Sequence, residues 1–268
     1  PFDGFSETAE RFFEEGGSGL NVTVPFKAQA AAWVTELDQS AAAARAVNTI
    51  SLSRTDGMGV TASAGRVEPP QPDAAAVGAH RIRTVGFNTD GAGLVRDLTV
   101  NHELELGGKR ILVLGAGGAV QGVLRPLIAE RPIELCIANR TAEKAQLLAS
   151  ALNREALCDE VGVRVTGLGL DVLNDGFDIV ISGTSAGLSG DRASVPAAVV
   201  RESFCYDMIY GAQTDFCRWA EANGARQVTD GIGMLVEQAA LAFDIWRGVA
   251  PETAPILRLL RQERTSQR

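Results

Sequence analysis

The run 110–114 (Arg-Ile-Leu-Val-Leu) is followed at once by Gly115-Ala116-Gly117-Gly118-Ala119 and then by Val120, Val123, Leu124, Leu127 and Ile128 on one stripe. This succession constrains the fold more than any other feature of the chain. A continuous apolar run is expected of a strand buried on both faces, and the stripe has helical spacing. Small residues between strand and helix let the backbone approach a pyrophosphate, which the free N–H groups and dipole of the helix N-terminus stabilise. A glycine run alone is weak evidence; a strand before it and a helix after it supply the confirming context. Val120 occupies the third glycine position of G-x-G-x-x-G, so the strict spacing fails, and Gly118 and Gly122 are left to serve close packing. A tight turn without a ligand is the alternative.

The rhythm continues downstream. Strands are predicted at 133–138, 161–166, 177–182 and 204–207, and helices at 141–152, 214–223 (closed by Gly224), 234–246 and 255–264. Alternation of this kind implies a parallel sheet with helices on both faces. Upstream, 19–24 reads as a strand stopped by Pro25, 28–46 as one or two Ala-rich helices and 47–53 as a second strand. The pattern dissolves over 54–85, where Glu68-Pro69-Pro70-Gln71-Pro72-Asp73 is a loop signature. The expected architecture is two α/β domains: a doubly wound, Rossmann-type nucleotide domain over 92–233, and a discontinuous substrate domain made of 1–91 and the helices of 234–268. Closure of the two over a cleft would exclude water.

Composition narrows the partners. Asp and Glu number 33 against 25 Lys and Arg, a net charge of −8, and no basic run offers a patch for nucleic acid. No apolar stretch approaches the roughly 20 residues that cross a bilayer, and no secretory signal is visible, so a cytoplasmic protein is expected. Cys136, Cys158, Cys205 and Cys217 have neither C-x-x-C nor disulfide-framework spacing; Cys136 and Cys205 lie in apolar runs and read as buried thiols. With only His80 and His102 as histidines, no metal site is expected. A small-molecule substrate is the expected partner. Oligomeric state is not readable, and a homodimer is compatible with the chain. The chain opens at Pro1 rather than at a methionine, which is expected of a sequence without its natural start.

The end of the second Rossmann strand separates NAD from NADP. An NAD enzyme usually places Asp or Glu there, about 20 residues after the glycines, to bind the ribose hydroxyls. Here Asn139-Arg140-Thr141 stands in its place. No carboxylate at that position repels a 2′-phosphate, Arg140 offers a bidentate guanidinium, and Asn139 and Thr141 add neutral donors. Lys144, one turn into the helix, adds charge. Arg140 as an exposed loop arginine and Lys144 as a solvated lysine are the bland alternatives.

Two further segments lie outside the Rossmann unit: 21–27, ending in Lys27, and 86–93, containing Asn88-Thr89-Asp90-Gly91. A lysine and an aspartate on adjacent loops can form a charged pair over a substrate hydroxyl, though spacing alone does not show it. The ammonium stabilises charge growing on oxygen as hydride reaches a carbonyl carbon, and gives the proton; the aspartate orients it. On residue pattern alone, however, Lys27 is more often a solvated turn lysine and Asp90 a turn former.

These motifs occur in one order: Asn21-Val-Thr-Val-Pro-Phe-Lys27, Ala46-Val47-Asn48-Thr49, Asn88-Thr89-Asp90-Gly91, Gly115-Ala-Gly-Gly-Ala119, Asn139-Arg140-Thr141, Gly183-Thr184-Ser185-Ala186-Gly187 and Asp230-Gly231-Ile232-Gly233-Met234-Leu235-Val236-Glu237-Gln238. In this combination, from about Phe5 to the C-terminus, the chain resembles the shikimate dehydrogenases of bacterial aromatic amino-acid biosynthesis. The resemblance implies reversible, NADPH-dependent reduction of 3-dehydroshikimate to shikimate. It implies Lys27 and Asp90 as the catalytic pair. Thr23, Asn48 and Gln238 would hydrogen-bond the substrate's ring hydroxyls, and Tyr210 would line its pocket. Met208 and Gly231 would lie near the nicotinamide, with Thr184 and Ser185 after a strand end where doubly wound sheets bind ligands. Gln238 as a surface glutamine, Asn48 as a strand-end residue and Tyr210 as a packed aromatic are the alternatives.

The chain departs from the family in four places. It starts downstream of the strand and helix whose Ser-x-Ser hydroxyls hold the substrate carboxylate. It carries an insertion over 57–83, near Asp90, that reads either as a lid or as plain surface. Ser182-Gly183-Thr184-Ser185 replaces Asn-Ala-Thr-Ser, and Asp215 follows Thr214 where proline is usual. A quinate or quinate/shikimate dehydrogenase is the rival enzyme, since one ring hydroxyl separates the substrates. A catalytically silent NADP-binding sensor is the rival from another class.

Overall fold

Trp33, Val34, Leu37, Val47 and Ile50 sink into one core, around which the first of two units, Pro1–Asp90 with Gln238–Glu252, is arranged. The structure, a computed structural model, describes residues 4–52, 82–174, 176–184, 195–211 and 214–266. Ser185 and nearly all of the 57–83 stretch lie outside them. Unit 1 runs α1 (Phe5–Glu14), β1 (Gly19–Asn21), α2 (Lys27–Trp33), β2 (Glu36–Leu37), α3 (Gln39–Ala44), β3 (Thr49–Leu52) and β4 (Thr84–Phe87). Its 4-stranded sheet has the order β1-β3-β4-β2. β3 is antiparallel to both β1 and β4, and β2 is parallel to β4.

The Ala-rich stretch makes two helices, as it allowed, with β2 between them. Val34 turns extended (φ −65°, ψ 150°) and stops α2. The Thr35 hydroxyl then donates to the Thr84 carbonyl (2.7 Å) and accepts from the Thr84 N–H (2.8 Å), stitching the segment to β4. Asp38 restarts the helix by accepting from the Ala41 N–H at 3.0 Å, a side-chain cap.

Unit 2, Gly91–Glu237 with Thr253–Arg268, begins within α4 (Asp90–Arg96) and a π-helical turn, Asp97–Asn101. There follow β5 (Arg110–Leu114), α5 (Gly118–Ala129), β6 (Glu134–Asn139), α6 (Ala142–Leu152), α7 (Ala156–Val161), β7 (Val165–Gly169), β8 (Ile179–Ser182), β9 (Phe204–Asp207), α8 (Asp215–Ala222), β10 (Gln227–Asp230), α9 (Ile232–Arg247) and α10 (Ala254–Ser266). The 6-stranded sheet has the order β10-β9-β8-β5-β6-β7, with every pairing parallel. This is the doubly wound architecture expected, and the strand order reverses between β5 and β8. Ile111, Val113, Ile137, Ile181 and Tyr206 enter one core, while Leu112, Leu114, Cys136, Val180 and Cys205 enter the other. Alternate residues thus face opposite layers, and both are dry. That explains why these strands read as continuous apolar runs. The four cysteines are free and buried, and burial pushes the Cys205 thiol up to about 12.

Several elements were not in the sequence reading, among them α1, β2, β4 and α4, and two differences have a clear physical reason. The Val161-Gly162-Val163-Arg164-Val165 alternation suggested one strand over 161–166, but Val161 ends α7, the left-handed Gly162 (φ 71°) caps it, and β7 starts at Val165. β10 was not expected, because it is a polar edge strand with no alternation to mark it. Of the C-terminal residues expected to return to the substrate domain, 238–252 group with unit 1 and 253–268 with unit 2.

The first turn of α9 presses on a buried carboxylate. Asp97, 0% exposed, accepts from the Tyr206 hydroxyl (2.7 Å) and from Asn101 Nδ2 (3.0 Å), and the Tyr206 oxygen accepts the Met234 N–H at 3.2 Å. A Cβ on Gly233 would fall 2.0–2.2 Å from that carboxylate, which its bonds hold in place. Gly233→Ala is therefore expected to destabilise by about 1–3 kcal/mol through overpacking. An unchanged thermal midpoint would mean that Asp97 gives way instead.

Candidate active site

In unit 1 the turn before α2, the start of β3 and the start of α4 converge on one group of polar side chains. Lys27 opens α2 and Asp90 opens α4, and the Lys27 Nζ–Asp90 Oδ2 distance is 2.6 Å. Asp90 Oδ1 accepts from Asn48 Nδ2 at 2.9 Å, so both carboxylate oxygens are bonded and the orientation of the group is set. Asn48 Nδ2 also lies 2.9 Å from Thr89 Oγ1 and 3.3 Å from Gln238 Oε1, three acceptors for two N–H bonds. Asn48 Oδ1 accepts from the Thr89 N–H (2.9 Å) and the Thr49 hydroxyl (2.9 Å). Lys27 remains partly exposed at 23%, open to a ligand, while Asp90 at 11% is nearly closed off.

The Asn-Thr-Asp run divides its labour. Asn88 is scaffold: its Nδ2 donates to the Ala46 carbonyl (3.0 Å) and its Oδ1 accepts from the Asp90 N–H (3.1 Å). It thereby caps α4 and places Asp90. Thr89 joins Asn48 to Gln238, with its Oγ1 3.3 Å from Gln238 Oε1. Neither role was assigned from the sequence: the Asn88 cap on the Asp90 N–H is local, but its bond to the Ala46 carbonyl and the bonds of Thr89 to Asn48 and Gln238 join residues far apart along the chain. The structure thus brings together Lys27, Asp90, Asn48 and Gln238. Thr23 is exposed in the turn before Lys27, where its carbonyl accepts the Phe26 N–H at 3.0 Å, and among the described residues its hydroxyl is not bonded to this group. Tyr210 belongs to unit 2 and is 54% exposed.

In unit 2 the glycine-rich turn follows β5 at the strand-order reversal. Gly115 is held by the fold itself: its φ is +112°, its N–H donates to the Ala138 carbonyl (2.7 Å), and a Cβ would lie 3.3 Å from both the Gly183 oxygen and Val120 Cγ2. Val120, buried, fills the space a third glycine would leave, and a Cβ on Gly183 would strike it at 2.4 Å. Gly117 and Gly118 differ. Neither has a positive φ, and a Cβ on either meets nothing of the chain within 4 Å. No side chain caps α5. Small residues that the protein's own packing does not require, in front of uncapped helix N–H groups, fit the approach of a dinucleotide pyrophosphate. Ala116 and Ala119 complete this small-residue turn.

Asn139 ends β6 and its Nδ2 donates to the Thr141 carbonyl at 3.0 Å, shaping the turn that presents Arg140 and Lys144, both exposed. Thr141 stands at the α6 N-cap without using its side chain to cap. Met208 is partly buried after β9, and a Cβ on Gly231 would lie 2.4 Å from the Met208 oxygen, so glycine there permits the two strand ends to approach. Thr184 follows β8 and is half-buried. The sequence reading missed Asp207. Burial raises its carboxyl above the usual range, and it accepts from the Thr214 hydroxyl (2.6 Å) and the Ile209 N–H (3.2 Å), joining both residues to the end of β9. Among the described residues no cluster of His, Cys, Asp or Glu is suited to a metal, and no helix is long and apolar enough to cross a membrane.

Residues 1–50 match the shikimate dehydrogenase substrate binding domain, 98–189 the shikimate / quinate 5-dehydrogenase domain and 231–261 the shikimate 5′-dehydrogenase C-terminal domain. A shikimate dehydrogenase (NADP(+)) of Alkalilimnicola ehrlichii is 47% identical over 265 residues, covering 98% of this chain and 86% of the relative. The chain belongs to the shikimate dehydrogenase family. Among solved structures, an Ael1 enzyme from Pseudomonas putida is 36% identical with a TM-score of 0.78, covering 97% of this chain and 84% of that one. The shikimate 5-dehydrogenase of Thermus thermophilus, solved with NADP(H) and shikimate, is 27% identical with a TM-score of 0.69, covering 98% and 85%. The shikimate dehydrogenase family thus accounts for both units.

Proposed function

We propose that this protein catalyses the reversible, NADP-dependent interconversion of shikimate and 3-dehydroshikimate. The observation that carries the reading is the Lys27–Asp90 pair at 2.6 Å, set among Asn48, Thr89 and Gln238. In this reading unit 1 holds the substrate and unit 2 the cofactor. NADPH, when bound, supplies the hydride.

The chain's own residues do the rest. Asn48 and Gln238 present amides to ring hydroxyls, with Thr23 as a further substrate contact. A wrong substrate leaves such groups unpaired at roughly 1–3 kcal/mol each. Lys27 donates from Nζ to the carbonyl oxygen as that oxygen becomes a hydroxyl, and in the reverse direction takes the proton back. Asp90 holds the ammonium in line through Oδ2 while Asn48 holds Asp90 through Oδ1. For the cofactor, the 115–119 backbone and the α5 N-terminus would hold the pyrophosphate. Asn139, Arg140, Thr141 and Lys144 would take the 2′-phosphate, and Thr184, Met208 and Gly231 would lie beside the nicotinamide, with Ser185, next in the sequence, as a further expected contact. The absence of a carboxylate at 139–141 supports NADP over NAD. A cytoplasmic site of action accords with four free cysteines, and a homodimer accords with the chain.

The test is the absorbance of NADPH on addition of 3-dehydroshikimate to the full-length protein, with shikimate and quinate compared in the oxidative direction. Consumption of NADPH with preference for shikimate is expected. Preference for quinate would move the assignment to the rival substrate, and binding of NADPH without turnover would favour the sensor.

A further inference from the structure

The proposed chemistry does not use Thr49, a fully buried hydroxyl at the start of β3. In the antiparallel register of β1 and β3, Thr49 stands directly opposite Asn21, so the two side chains share one face of the sheet. Asn21 Nδ2 donates to the Asn48 carbonyl at 3.1 Å and to Thr49 Oγ1 at 3.1 Å. A carbonyl only accepts, so the first bond identifies the amide nitrogen of Asn21 and makes the second a donation to Thr49. The Thr49 hydroxyl has a single proton. With its oxygen accepting from Asn21, that proton goes to Asn48 Oδ1 at 2.9 Å. Valine, also β-branched, suits a strand equally well, so the strand itself does not require the hydroxyl.

The donor end of Asn48 does not select one position by itself, since Nδ2 faces three acceptors with two N–H bonds. The Thr89 hydroxyl does not select it either, because it lies within bonding distance of both ends of the amide, 2.9 Å from Nδ2 and 3.2 Å from Oδ1. The acceptor end decides. Oδ1 is held by the Thr89 N–H at 2.9 Å and by the Thr49 hydroxyl, whose direction Asn21 sets. We infer that Thr49 is a positioning residue: the directed chain from Asn21 through Thr49 to Asn48 keeps the Asn48 amide with Nδ2 on Asp90, and so keeps Asp90 aligned with Lys27. All of these residues belong to unit 1. The inference rests on the proposed dehydrogenase activity, in which Asp90 orients Lys27.

The experiment measures kcat, KM for shikimate and KM for NADP in Thr49→Val, Thr49→Ser and Asn21→Ala, with Thr49→Val also made in an Asn48→Ala background. Thr49→Val is expected to lower kcat/KM for shikimate about five- to thirtyfold, as for a buried acceptor that loses one donor. The NADP KM should stay within about twofold, whereas a general loss of structure would move it too. Thr49→Ser keeps the hydroxyl and should stay within about threefold of wild type. Asn21→Ala, at an exposed position, should lower kcat/KM about two- to fivefold by freeing the direction of the Thr49 hydroxyl. In the Asn48→Ala background, Thr49→Val should add nothing. An unchanged kcat/KM in Thr49→Val, an equal loss in Thr49→Ser, or a full additional loss in the Asn48→Ala background overturns the inference while an active wild type preserves the enzyme assignment. A wild type silent toward shikimate overturns both. Should Thr49→Val fail to fold, Asn21→Ala decides the question, and an unchanged kcat/KM there overturns the inference.

Discussion

Replacing Lys27 with alanine should lower turnover by about two to four orders of magnitude while NADPH still binds, the range for loss of a positioned acid–base group. Lys27 is bonded to Asp90 at 2.6 Å, and its Nζ is the one cationic group in the cluster of Asn48, Thr89, Asp90 and Gln238 among the described residues. Alanine removes both the proton donor and the charge that steadies the developing alkoxide. It also leaves Asp90, nearly buried, with Asn48 as its remaining side-chain partner. A modest drop in thermal midpoint is therefore expected beside the kinetic loss. Lys27→Arg separates the two contributions. A guanidinium keeps the positive charge but does not release its proton in a protein, so substrate affinity should persist while turnover stays low. The fluorescence of reduced nicotinamide reports NADPH binding in the same samples. Near-normal turnover in Lys27→Ala would remove Lys27 from the mechanism.

The parts of this molecule written in short-range pattern were legible. β5, α5 and β6 follow from apolar runs and helical spacing, because both faces of that sheet are buried and no residue must compromise with solvent. Elements that lack such contrast were not legible. β10 is a polar edge strand, and α7 ends inside a valine alternation that Gly162 interrupts. The same division holds at the site. The glycine-rich turn carries its own context, but Lys27 and Asp90 lie 63 residues apart, and Asn48 and Gln238 lie 190 apart. No spacing rule joins them; only the family resemblance paired them before the fold did. The scaffolding role of Asn88 was hidden in part for the same reason: its bond to the Ala46 carbonyl spans 42 residues, whereas its bond to the Asp90 N–H, and those of Asp207 to the Ile209 N–H and the Thr214 hydroxyl, are local.

Arg140→Glu should raise the KM for NADPH about a hundredfold while leaving that for NADH within about threefold, a difference of roughly 3 kcal/mol between the cofactors. Arg140 stands exposed in the turn between β6 and α6, where the chain ends a strand with Asn139 and opens a helix at Ala142. NADPH and NADH differ only in the 2′-phosphate, so groups that hold the pyrophosphate or nicotinamide cannot distinguish them. The substitution exchanges an attractive charge for a repulsive one next to that phosphate alone. Glu143, exposed in the first turn of α6, favours that helix N-terminus electrostatically. Because the site is exposed, salt screens the effect. The ratio of the two KM values should therefore shrink as ionic strength rises, whereas a loss caused by a distorted turn would not respond to salt. Lys144→Ala should act in the same direction but more weakly, as a point charge on a flexible stem lacks the bidentate geometry of a guanidinium. Equal losses for both cofactors in Arg140→Glu would show that the turn positions the adenosine ribose generally and would leave the preference for NADP to other residues.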